Sequence, residues 1–444
     1  MSDPELAVVE FVLTAAVYTG DSDLVADDLP PAYRSVFWSD GEIERPLSAT
    51  DETAREATGV ASPWDAISEL MFTERDDFSG TISFTDRAMA EEWYRKRADV
   101  DRIQENPTLA AHFEGEVAGV DYEAASEAVR PARADRAFID ALLEEYFDGE
   151  EEEEMLDLVE MRAPEEVEIT LDELVLTEEQ EREIMKIVKA IEHREYLAEI
   201  GLREVGKLLF VGPPGTGKTS VARALGQNLG LPVVEVKLSM ITSQYLGETA
   251  KNVEKTFEVA KRLAPCILFI DEFDFVAKTR SSDEHAAIKR AVNTLLKSID
   301  EVSLVRDEVL LIGATNHPDQ LDAAAWRRFD EIVNFPKPDL GMRADILEVV
   351  TREMDIVDFD STSLAEITAG LTGSDLRLVL REAVLDALTE ERTTLTQQDL
   401  VAAVEDFEER DTLKNLDMIE GDHDALVAGG DITGDGEAHD HAHD

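Results

Sequence analysis

The chain has 444 residues, enough for two to four domains with ample core. Acidic residues outnumber basic ones by 99 to 42, a formal net charge of −57, which argues against nucleic acid as a default partner but leaves room for a local basic pore. The single cysteine, Cys266, excludes an intrachain disulfide and a cysteine-based metal site. The acidic excess runs through the whole length, including segments that read as folded helices. An even acidic coat resembles that of halophilic proteins, where high salt screens the self-repulsion. A specialised acidic surface for a basic partner is the other reading. No positively charged leader opens the chain and no apolar run is long enough to span a bilayer, so the expectation is a cytoplasmic protein without membrane contact.

Residues 1–147 read as a mostly helical accessory domain for substrate recognition. Leu6 to Val17 is apolar but carries Glu10 and reads as a largely buried helix, and Pro30-Pro31 breaks the chain after it. Pro63 sits in the first turn of a helix entered at Ser62. Ala88 to Val100 and Asp135 to Phe147 carry amphipathic helical spacing. Arg95-Lys96-Arg97 is a basic island that reads as a solvated helix face rather than a phosphate or RNA contact. The run Glu150 to Glu154 repels itself, which places an acidic linker over 148–170.

From 171 to 338 short apolar runs alternate with helical stretches, the pattern of a parallel α/β sheet. The runs are Lys207–Val211, Pro232–Val236, Cys266–Ile270, Val309–Gly313 and Ile332–Phe335. Residues 339–410 read as purely helical, a small domain whose final helix is capped by Thr396. Residues 411–444 form an acidic tail rich in histidine and glycine, expected to be disordered.

Four segments carry chemistry. Gly212-Pro213-Pro214-Gly215-Thr216-Gly217-Lys218-Thr219 fits the loop that cradles nucleotide phosphates, set between a strand and a helix that continues through Ser220. Its glycines allow a tight turn with N–H groups facing inward. Lys218 would reach the β- and γ-phosphates of ATP, and the Thr219 hydroxyl would bind Mg²⁺. Next, Cys266–Ile270 delivers Asp271 and Glu272 at a strand end, where Asp271 would hold Mg²⁺ through water and Glu272 would polarise the attacking water. A third strand ends at Asn316, an amide suited to orient water. Arg327 and Arg328 stand together in an acidic segment and call for an anionic partner.

This ordered set resembles the classical AAA ATPases of the AAA+ superfamily over about residues 171–410, with adjacent arginines as in katanin and spastin. The resemblance implies a P-loop NTPase parallel sheet with a small helical lid. It makes Asn316 the sensor-1 residue and Arg327 and Arg328 an arginine-finger pair acting on a neighbouring subunit's ATP in a ring, usually a hexamer. It also makes Gly373 and Ser374 the nucleotide-contacting sensor-2 turn. Tyr245 and Leu246, directly before Gly247-Glu248-Thr249, match the first pore loop, and Arg280 to His285 falls where a second would lie. The implied function is an ATP-hydrolysing ring that unfolds or remodels proteins through its central pore. A nucleotide-gated scaffold that assembles and releases partners without threading is the alternative. No His-Glu-x-x-His occurs, so a protease in the same chain is not expected.

Overall fold

The computed structural model describes residues 3–39, 42–203, 205–237, 249–274 and 286–420. The chain divides after Pro336 into two compact units.

The first unit opens on helix α1 (Pro4–Gly20). Asp3 caps it by accepting from the Glu5 N–H at 3.1 Å, and Pro4 supplies a fixed φ in the first turn. Val8, Val9, Phe11 and Leu13 are fully buried, so α1 is the hub around which the following short helices pack. Glu10 is buried with them, offset by Arg102 and by the Tyr33 hydroxyl, which donates to it at 3.3 Å. Two short antiparallel ladders, Trp38–Ser39 with Glu42–Ile43 and Thr73–Arg75 with Ile82–Phe84, complete this part. The helix expected over Ala88 to Val100 is two helices. α2 (Arg87–Arg95) stops, and the Asp99 carboxylate caps a fresh start at Val100 by accepting from the Arg102 N–H at 2.9 Å.

Helices α3 (Arg136–Tyr146) and α4 (Glu150–Leu156) lead into strand β1 (Val159–Arg162). Then come β2 (Lys207–Val211), α5 (Lys218–Leu229), β3 (Val233–Val236), α6 (Thr249–Arg262), β4 (Cys266–Ile270), α7 (Ala286–Glu301), β5 (Val309–Thr315) and β6 (Glu331–Asn334). The sheet order is β6-β2-β5-β4-β3-β1, parallel except for β1, which runs antiparallel to β3. Every residue of β2, β4 and β5 is buried, because helices cover both faces. Val221 and Leu225 of α5 pack on one face, with Val253, Phe257 and Leu295 on the other.

The acidic linker expected over 148–170 is corrected by these elements. Its glutamates occupy the first turns of α4, where the helix dipole favours negative charge, and Lys255 pairs with Glu154 at 3.4 Å. Met155, Leu158 and Val159 point the other way, into the core of the large sheet. Charge repulsion acts only on the solvent face, and burial of the apolar face decides the conformation.

In the second unit, helices Leu340–Thr351, Ser361–Ile367, α8 (Gly373–Thr389) and Gln397–Glu420 enclose Leu347, Leu364, Leu376, Val379 and Leu400. This unit is not purely helical, since Ile356–Val357 pairs in parallel with Leu395–Thr396. Thr396 caps the last helix, accepting from the Asp399 N–H at 3.3 Å. That helix runs to Glu420, into the segment expected to be disordered from 411; residues 421–444 lie outside the described residues. No helix among the described residues is long and apolar enough to cross a membrane.

Cys266 opens β4 with no exposed surface, and burial pushes its thiol far above the ordinary range. The native chain should therefore be silent toward a disulfide thiol reagent at pH 8, with one equivalent reacting after denaturation. Prompt reaction of the native form would show that the sheet opens there.

Candidate active site

The loop between β2 and α5 is shaped by glycine. Gly212 has φ 154°, and a Cβ there would lie 2.0 Å from the Phe335 carbonyl oxygen, so the loop can leave β2 this closely only without a side chain. Gly215 and Gly217 hold left-handed φ values of 76° and 95°. Gly217 stands at the N-cap of α5 and offers no side chain to the first-turn N–H groups, which stay available to an anion. Thr216 donates its hydroxyl to the Pro213 carbonyl at 2.9 Å. Pro214 is exposed, while Pro213 and Ser220 are half-buried.

Lys218 is 5% exposed. Its Nζ donates to the Gly212 and Pro213 carbonyls at 2.8 and 2.7 Å. Burial lowers the affinity of the amine for its proton, and the Asp271 charge opposes that. The next residue, Thr219, donates its hydroxyl to Asp271 Oδ2 at 2.9 Å. Lysine, hydroxyl and carboxylate thus converge at the carboxyl end of the sheet, a donor set that fits a triphosphate with a hard cation.

Glu272 follows Asp271 in a left-handed conformation at φ 46°, uncommon for a residue with a long side chain. Both neighbours hold it there. Its N–H donates to Asp271 Oδ1 at 2.8 Å, and Phe273 is locked beyond it by an N–H bond to the Ala314 carbonyl at 2.8 Å and an edge contact with Phe329. The carboxylate of Glu272 is exposed. Asn316, just past β5, is half-buried, and its side chain makes no hydrogen bond among the described residues. Sequence reasoning missed the group that fixes both strand ends: buried Thr315 donates to buried Asp274 at 2.7 Å and accepts the His317 N–H at 3.0 Å. The third acid of Asp271-Glu272-Phe273-Asp274 was the available signal.

The two arginines differ in setting. Arg328 is held by its own chain, donating to the Leu296 and Ala324 carbonyls at 3.0 and 2.6 Å and pairing with Asp300 at 3.0 Å. Arg327 is exposed, and its side chain has no hydrogen bond or ion pair among the described residues. In the second unit, Gly373 and Ser374 form the first turn of α8, which Thr372 caps. Tyr245, Leu246 and the segment 280–285 lie outside the described residues.

A parallel sheet with a phosphate loop after its strand β2 and an acid pair after β4 defines a P-loop NTPase. The family model for the ATPase family associated with various cellular activities (AAA) matches residues 208–337, and the AAA+ lid domain model matches 358–402. An uncharacterized AAA family ATPase of Sinorhizobium fredii is 37% identical over 236 residues, 53% of this chain and 70% of that protein. The proteasome-activating nucleotidase of Pyrococcus abyssi is 39% identical over 233 residues, 50% of this chain and 59% of that protein. That of Methanocaldococcus jannaschii is 35% identical over 243 residues, 53% and 56% of the two chains. The chain belongs to the AAA family and is an ATPase with an α/β P-loop fold, a lid domain and a helical N-terminal region. It spans little more than half the length of the nucleotidases it matches.

Replacing Gly212 by alanine forces the Phe335 carbonyl to move or the loop to withdraw. The expected result is a loss of about 1–3 kcal/mol in stability, the usual cost of a strained backbone site, together with weakened nucleotide binding. Denaturant titration and fluorescent-nucleotide titration measure the two.

Proposed function

We propose that the chain works as a homo-oligomeric ring, a hexamer, that hydrolyses ATP to unfold or remodel protein substrates drawn through its central pore. The observation that carries this reading is Arg327, an exposed guanidinium without a partner among the described residues, close in sequence to strand β6 at the sheet that bears the phosphate loop. In a chain with more than twice as many acids as bases, a cation left free beside the nucleotide module suits an anion supplied by a neighbour. Arg328 braces the segment that presents it.

Within one protomer, Lys218 neutralises the β- and γ-phosphates, while Thr219 and Asp271 hold Mg²⁺. Glu272, kept in its left-handed pose, polarises the attacking water, and Asn316 orients it. Gly373 and Ser374 touch the nucleotide. Tyr245 and Leu246 grip an extended polypeptide by ring and apolar contact, which reads no sequence. The N-terminal region chooses the substrate. Support for a protein target comes from the relatives named proteasome-activating nucleotidases.

Arg327→Ala should lower ATP turnover by about a thousand-fold or more with nucleotide binding retained. Glu272→Gln should stall turnover as well. Mixed in equal amounts, the two variants should recover roughly a quarter of wild-type turnover, because a quarter of the junctions then join an intact Glu272 to an intact Arg327. No recovery would mean that the ATP site is complete within one chain.

Tyr245→Ala tests threading. ATP turnover should persist while unfolding of a fluorescent substrate protein stops. Unfolding at full rate would remove the pore from the mechanism.

A further inference from the structure

The N-terminal part of the first unit carries a groove of about 390 Å³ that the ATP cycle does not use. Leu70, Met71 and Phe72 line one part of it, and Met89 and Trp93 of α2 line another. Phe72 is buried and its ring lies 5.9 Å from that of Trp93, so the floor is part of the domain core. The rim is not. Met71 is 89% exposed and Met89 44%. Two unbranched, polarizable side chains left in water over an aromatic floor form an apolar surface that adapts to varied contours.

The charges on the rim decide the kind of partner. The basic island here does not act as one positive patch. Lys96 pairs with Glu92 at 2.6 Å and Arg95 with Glu116 at 3.0 Å. The Arg97 guanidinium lies over the Trp93 ring at 4.0 Å from its centroid, and the side chain has no hydrogen bond or ion pair among the described residues. Every other arginine ahead of Arg130 donates to a carboxylate or a carbonyl. Glu69, on the same rim, is unpaired among the described residues. In so acidic a chain a free carboxylate is the rule and carries little information, whereas a free arginine is the exception. Stacking on Trp93 holds this guanidinium in place while its N–H edge stays open to an acceptor.

We propose that this groove seats an extended apolar polypeptide segment of another protein, with a carboxylate of that segment pairing with Arg97. This deepens the reading of the N-terminal region as the part that chooses substrates. Methionine and tryptophan supply contact without demanding a sequence, and Arg97 fixes the polarity of the guest. The net charge of the chain opposes an acidic guest at long range. At 0.15 M salt, where the screening length is about 8 Å, that repulsion fades and the local pair remains.

The test uses the full chain without nucleotide at 0.15 M salt. The probe is a fluorescein-labelled peptide of leucine, leucine, phenylalanine and three aspartates, with a control carrying lysines for the aspartates. Anisotropy should show the acidic peptide binding at least ten-fold more tightly than the control. Met71→Asp and Arg97→Glu, both at exposed positions, should each weaken it at least ten-fold and leave ATP turnover unchanged. Equal binding by wild type and both variants, or preference for the lysine peptide, overturns the proposal. Displacement of the peptide by a uridine decamer also overturns it, since the site would then be a phosphate site. If the groove binds as stated but a protein tagged with the peptide is not unfolded, the groove stands and the motor reading falls.

Discussion

A buried ammonium is costly unless it is matched, and the phosphate loop is built around one. Lys218 is nearly covered, and two main-chain carbonyls, those of Gly212 and Pro213, accept hydrogen bonds from its ammonium group. For those carbonyls to face inward the chain must reverse directly off β2, and the Gly212 position lies against Phe335 just beyond β6. The register of β2 with β5 and β6 and the absence of a side chain at 212 are therefore one constraint. Thr219 and Asp271 inherit their positions from it, because α5 starts where the loop ends and β4 lies next to β5 in the same sheet.

The strand ends carry the remaining tension. Glu272 occupies a conformation that costs free energy, and the cost is met by groups on either side: Asp271 through its N–H acceptor, and Phe273 through Ala314 and Phe329. The Thr315–Asp274 bond ties β5 to the segment after β4, so Asn316 and Glu272 depend on a common anchor. A carboxylate held out from a fixed strand end suits a group that must meet substrate without rearranging.

Much of this was legible in the chain. The apolar runs gave the five parallel strands because a strand buried on both faces must be apolar throughout, and Gly-x-x-x-x-Gly-Lys-Thr carries its own backbone geometry. The edge strand β1 was hidden by its neighbours. Five glutamates in a row imply repulsion, yet α4 leaves Glu151, Glu153 and Glu154 exposed and buries Met155, a feature that appears only once α6 is in place to receive it. The different settings of Arg327 and Arg328 were also invisible, since they depend on carbonyls of Leu296 and Ala324 that happen to lie within reach of one side chain only. The break at Lys96 was readable from Asp99, a helix cap that the longer amphipathic period concealed.

The hidden segment matters because it makes the N-terminal region continuous with the nucleotide module. Glu235 of β3 receives Arg162 from β1 at 3.0 Å and Arg223 from α5 at 2.6 Å, so one carboxylate bridges the edge strand and the phosphate helix. At the far end of α5, Arg133 donates to the Gly230 carbonyl at 3.3 Å, and Pro131 packs so closely that a Cβ on Gly230 would lie 2.8 Å away. Further back, fully buried Arg34 pairs with Asp135 at 2.7 Å, and Arg130 joins the same carboxylate at 2.9 Å. Burial pushes the Asp135 carboxyl up and the Arg34 guanidinium down, each resisted by the other's charge, so separating them would strand a charge in the interior at a cost of about 3–5 kcal/mol. A region on a flexible tether would need no such contacts. Helix α5, which presents Lys218 and Thr219, is held by elements that precede the family-matched segment as well as by the sheet.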